Sequence, residues 1–96
     1  MVESTHTFLV LGKLSARGLE KFSTSPKEFA EELKKTLESV EGIKVIEMCA
    51  LLGDYDGAMK IEAPNEKVLA KALVKANKEG LVHTVTYTAI SLEDLE

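Results

Sequence analysis

Leu51-Leu52-Gly53-Asp54-Tyr55-Asp56-Gly57-Ala58-Met59-Lys60-Ile61-Glu62 decides how this chain folds. Apolar runs flank a Gly-Asp-Tyr-Asp-Gly knot. Glycine adopts positive φ without steric penalty, and aspartate tolerates it better than most residues. The stretch therefore reads as a β-hairpin that turns at Gly53-Asp54. Beyond the turn the alternation is clean. Tyr55, Gly57, Met59, Ile61 and Ala63 point one way, and Asp56, Ala58, Lys60 and Glu62 the other. Such a strand buries one face against a core and leaves a polar face open.

Working outward, Ile43 to Leu52 supplies the other arm of the hairpin, and a helix pattern lies on each side of the pair. Upstream, Ser25 reads as an N-cap, Pro26 as the first helical residue and Glu28 as the second half of a capping box. Phe29, Leu33, Leu37 and Val40 then recur on one stripe, with Ala30 and Thr36 beside them, until Gly42 stops the helix. Downstream, Ala63-Pro64 ends the strand and Asn65 caps a second helix. Its buried stripe is Leu69, Ala72, Leu73 and Ala76, and Gly80 ends it.

Two more strands complete the pattern. Thr5 to Leu14 holds the run Phe8-Leu9-Val10-Leu11 and reads as a strand buried on both faces, hence central. Gly12 within it signals a bulge or a close backbone approach. Leu81 to Ile90 is rich in threonine, valine and tyrosine and reads as the last strand. Its buried face stays open, because Val82 and Ile90 oppose Leu81, Val85 and Tyr87. Ser15 to Ser25 reads as a long loop with room for one helical turn at residues 18–21, pinned by Leu19 and Phe22. The acidic tail 91–96 carries Leu92 and Leu95, which are placed to fold back on the body.

The order is β-α-β-β-α-β, the ferredoxin-like split-βαβ arrangement. An α+β fold follows: a four-stranded antiparallel sheet with two helices on one face, spanning residues 1–96 as a single domain. The second sheet face must carry Leu9 or Phe8, Val45 or Ile46 and part of the last strand, with no element left to cover it. A half-apolar bare face calls for a partner chain, and a symmetric homodimer with sheets packed face to face is the simplest cover.

Composition narrows the function classes. Hydrophobic residues make up 45% and charged residues 29% of the 96, a globular balance that argues against disorder. Twelve basic residues against sixteen acidic ones give a net charge of -4, with no basic cluster, so nucleic acid is not an expected partner. No apolar run approaches the roughly 18 residues a membrane-crossing helix needs. The start Met1-Val2-Glu3-Ser4-Thr5-His6 lacks the basic and apolar regions of a signal peptide. The lone Cys49 fits a reducing compartment, and a cytoplasmic protein is the expectation.

Several short pieces together resemble the GYD-domain family. They are Leu11-Gly12-Lys13, Ser25-Pro26, Gly53-x-Tyr55-Asp56, Glu62-Ala63-Pro64, and Thr86 with Ala89. The likeness runs from the first strand to Ile90. Ser15 departs from it, standing where threonine is usual, and the residues around Phe22 fit loosely. The resemblance implies a ferredoxin-like fold of the dimeric α+β-barrel kind and implies no activity. The second half also resembles the ligand-sensing domain of the leucine-responsive regulators, through the Gly-x-Tyr-Asp hairpin and the run from Gly80 to Thr86. In that family small effectors bind between subunits.

The candidate site residues are Lys13, Glu47, Tyr55, Asp56 and His83, bordering a small-metabolite pocket between subunits. Asp56 and Tyr55 also suit a purely structural turn. Lys13 with Arg17 and Lys21 offers charge to an anion. Glu47 is conspicuous inside an apolar strand, and it calls for a partner, either a lysine on a neighbouring strand such as Lys60 or a group across the dimer. His6 and His83 fall on neighbouring strands, but a zinc site wants further ligands at usable spacing and none is present, so no metal is expected. No glycine-rich phosphate loop calls for a nucleotide cofactor. The first reading is thus a non-catalytic homo-oligomer that binds a small metabolite or serves as an interaction module. The alternative is a cofactor-independent enzyme, a monooxygenase, isomerase or lactonase, that uses Glu47, His6 or His83 as acid/base.

Overall fold

A computed structural model describes residues 5–96. Met1 to Ser4, part of the stretch read for a signal peptide, lie outside the described residues. The elements run β1 (His6–Leu14), α1 (Ala16–Thr24), α2 (Pro26–Glu38), β2 (Lys44–Ala50), β3 (Gly57–Ala63), α3 (Glu66–Ala76) and β4 (Val82–Ala89), followed by a 3-10 turn at Leu92–Leu95. The four strands form one antiparallel sheet in the order β2-β3-β1-β4. This is the ferredoxin-like order, with β1 central as expected but buried on the helix side only, since Leu9 on its other face is exposed.

The core lies between the sheet and the helices. Phe8 and Val10 from β1, Met59, Ile61 and Ala63 from β3, and Val45 from β2 are buried there. Leu37 of α2 and Leu69 and Ala72 of α3 meet them from above. The alternation read along β3 is the observed one. Both predicted caps also form. Asn65 Oδ1 accepts the Val68 N–H at 2.9 Å, and Ser25 Oγ accepts the Glu28 N–H at 3.3 Å. The Ser25 N–H, which a reciprocal capping box would hand to Glu28, donates instead to the Lys21 carbonyl of α1. Gly42 and Gly80, with φ of 94° and 67°, take the left-handed conformation after the helices.

Three expectations need correction. Residues 16–24 are a helix, not a loop. Ser15 caps it by accepting the Gly18 N–H at 3.0 Å, and the hydroxyls of Ser23 and Thr24 donate back to the carbonyls of Leu19 and Glu20. The hydroxyl-rich run that suggested a loop is satisfied within the helix. Phe22 does pin this helix, edge-on to Phe29 with centroids 5.7 Å apart, but Leu19 is exposed. Second, no tight turn forms at Gly53-Asp54. Residues 51–56 make a longer connection closed by Leu51 N–H to Asp56 O at 2.8 Å, and Gly53 has no positive φ. Third, Leu92 and Leu95 do not fold back; both are exposed.

The last strand resolves the ambiguity left by its sequence. Val82 is buried under the helices, so Val85 and Tyr87 face the other way. The strand β2 also carries an irregularity. Its register with β3 shifts between Val45 and Glu47, and Ile46 is the extra residue, left exposed. The Val45 N–H bonds the Glu38 carboxylate at 2.9 Å, which ties the end of α2 to this strand.

Candidate functional site

The sheet face away from the helices is bare among the described residues. Its rows follow from the register. Leu9 stands between Lys60 and Tyr87, Leu11 between Ala58 and Val85, and Thr7 between Glu62 and Ala89. Leu9, Val85 and Tyr87 are exposed large apolar side chains that neighbour one another across β1 and β4; Ile46 is exposed on β2, beyond the β3 row of Lys60 and Glu62, and Lys13 and Glu47 lie on the same face. Exposed apolar side chains set among charged ones are the composition of an association surface.

The structure does not gather the five candidate residues into one pocket. Lys13 and His83 are cross-strand partners at one end of the open face. Glu47 is on the same face but on β2, two strands from Lys13, opposite Lys60. Its place in an apolar strand is explained by the bulge, which turns it outward. Tyr55 is half-buried in the 51–56 connection. Asp56 closes that connection onto β1: its Oδ2 accepts the Leu14 N–H at 2.8 Å, and its own N–H donates to the Gly12 carbonyl at 2.8 Å. The side chain of the hairpin's aspartate thus holds the neighbouring strand, while its backbone carbonyl closes the connection.

Two other groupings dissolve. Arg17 and Lys21 on α1 each reach Glu79 Oε1 at 3.8 Å, so they are paired and do not join Lys13 in an anion site. His6 and His83 lie at opposite ends of the β1–β4 pair. Because the strands are antiparallel, His83 meets Lys13, seven residues from His6, or roughly 23 Å along the strand. Among the described residues, no group of three or more His, Cys, Asp or Glu is placed to hold a metal ion, and no helix is long and apolar enough to cross a membrane.

A second feature lies on the helix side. A cavity of about 250 Å³ separates the sheet from α1 and α2, walled by Val10, Phe22, Phe29, Leu33, Met48 and Met59. Its cause is legible in the register. Ala50 pairs with Gly57, Gly57 with Gly12, and Gly12 with Thr84, so one row across all four strands carries only small side chains. A Cβ placed on Gly12 would find nothing nearer than Thr84 Cγ2 at 4.0 Å. The glycine read as a bulge or close approach therefore leaves space. Pro26, Cys49, Ala50 and Asp56 are exposed members of the lining and mark its opening to solvent. None of the three acid/base candidates, His6, Glu47 and His83, lines this cavity. Sequence reasoning missed it, because the signal was a set of small residues aligned across strands and not along one.

Known proteins agree with the architecture. Over 89 residues, 93% of each chain, the protein is 35% identical to the glutamine synthetase and cystathionine beta-lyase binding protein of Thermus thermophilus. Its fold is similar to that of a dabb family protein with a ferredoxin-like fold from Mesorhizobium loti, at a TM-score of 0.59 and 17% identity, over 92% of this chain and 97% of that one. It is equally similar, at 0.59 and 13% identity, to a mutant chlorite dismutase from Candidatus Nitrospira defluvii; the match covers 95% of this chain and 42% of the other. At these identities the two structures speak to fold alone. The GYD domain pattern matches residues 8–96, and the chain belongs to the GYD-domain family.

Proposed function

We propose that this chain is a non-catalytic binding protein that associates with itself through the open sheet face and, so assembled, binds another protein. The observation that carries the reading is the patch of Leu9, Val85 and Tyr87, exposed side by side across β1 and β4, with Ile46 also exposed on β2, on a face that no described element covers. A two-fold pairing of this face sets each patch against its copy, which is how most homo-oligomers bury such surfaces. The relative from Thermus thermophilus is named for binding two enzymes, which supports a protein partner here. A small metabolite held at the same interface is the finer form of the reading, and Lys13, His83 and Glu47 would border it. The single thiol, Cys49, is exposed, which fits a reducing cytoplasm.

Titration calorimetry tests the partner. The purified chain is titrated into glutamine synthetase and, separately, into cystathionine β-lyase. Saturable binding to at least one is the expected result. Absence of heat with both enzymes at about 100 µM, where even a weak complex of Kd near 10 µM would register, would overturn the assignment of a protein partner of this kind.

A further inference from the structure

We propose that the cavity between the sheet and α1–α2 is a ligand site for a compact apolar amine, a ring system of about ten to twelve non-hydrogen atoms with a protonated nitrogen at Asp56. This goes beyond the interface reading above and does not rest on it, since the cavity lies wholly within one copy.

Size is the first argument. Close-packed interiors leave few voids larger than a water molecule. An apolar cavity of about 150 Å³ already takes benzene, and this one is about 250 Å³. Its extra volume corresponds to a fused pair of rings. Shape and wall chemistry come next. Phe22 and Phe29 meet edge to face at 81°, presenting a rigid aromatic wall, while Met48 and Met59 line the opposite side with adaptable thioethers. Access is the third. Four of the lining residues, Pro26, Cys49, Ala50 and Asp56, are exposed, so the space opens to solvent.

Charge selects the head group. Asp56 is the one charged residue among those lining the cavity. Its Oδ2 is committed to the Leu14 N–H, and among the described residues its other carboxylate oxygen takes no hydrogen bond. A carboxylate or phosphate ligand would meet an apolar wall and a like charge. An ammonium group would meet a carboxylate already oriented by a backbone bond, which is the stronger kind of hydrogen bond. Cation–π contact with Phe22 or Phe29 would act in the same direction.

The test uses three probes of one shape: 1-naphthylmethylamine, naphthalene and 1-naphthoate, each titrated into the isotope-labelled full chain and followed by two-dimensional NMR. Saturable shifts at Phe29, Leu33 and Met59 are expected, with the amine bound at least ~10-fold tighter than the carboxylate, a difference of about 1.4 kcal/mol. Asp56→Asn should shrink that preference below ~3-fold while leaving naphthalene unchanged. Ala30→Phe, which fills the cavity from α2, should weaken all three by more than ~10-fold. Should that variant fail to fold, Ala50→Leu at the exposed mouth serves the same purpose. The proposal is overturned if no probe shifts the cavity residues saturably, if shifts fall on Leu9, Val85 and Tyr87 instead, or if 1-naphthoate binds as well as the amine.

Discussion

Consider replacing Leu9, which sits at the centre of the open face between Lys60 and Tyr87. Its side chain faces away from the core, and 39% of the residue is exposed in the single chain. Full burial of a leucine is worth about 1.5–3 kcal/mol, so covering the exposed remainder contributes roughly 0.6–1.2 kcal/mol per copy. A two-fold interface uses the residue twice, giving roughly 1.2–2.4 kcal/mol per dimer. Leu9→Ala should therefore weaken association by about 7- to 50-fold. Leu9→Lys should do far more. It places a second ammonium beside Lys60 on the adjacent strand and asks both copies to desolvate it. Sedimentation equilibrium at about 10 µM should then find Leu9→Lys as a single chain while the unmodified protein is a dimer. Circular dichroism should show unchanged secondary structure, because the buried face of β1 is untouched. If Leu9→Lys associates as tightly as the unmodified protein, this face is not the interface, and the reasoning from exposed apolar area fails.

Other perturbations test how the elements are held. Gly18 is buried where α1 crosses the start of β4, and a Cβ there would run into the Leu81 carbonyl. Gly18→Ala should cost about 1–3 kcal/mol in urea unfolding despite its higher helix propensity. Ser25→Ala removes the cap of α2 and should cost about 1 kcal/mol by the same measurement. Asp56→Ala leaves the Leu14 N–H without its acceptor; because the site is exposed, a loss of about 1 kcal/mol is expected, and hydrogen exchange at Leu14 should quicken.

Much of the fold was legible in the sequence because local chemistry and global order agreed. The alternation from Gly57 to Ala63, the serine at 25, the asparagine at 65 and the glycines at 42 and 80 each have one good structural use, and the chain puts them to it. Where reading failed, two uses competed. Ser23 and Thr24 suit loops and also bond back within a helix; the capping serine at 15 tipped the balance toward α1. Val82 and Val85 lie on opposite faces of an edge strand that is rich in threonine, so periodicity alone gives no preference there. Glu47 looked buried because the bulge at Ile46 is invisible in one dimension. The candidate site fared worst. Its five residues came from separate strands and a loop, and only the register tells that Lys13 meets His83 while Glu47 lies two strands away. The same register, which no single segment encodes, aligns Ala50, Gly57, Gly12 and Thr84 and opens the cavity.

Self-association through the uncovered sheet face is read from the solution mass of the unmodified chain. Sedimentation equilibrium across a dilution series centred on about 10 µM should return twice the mass of one chain or a higher multiple, falling toward one chain only at the lowest concentrations. A single-chain mass throughout the series would contradict it.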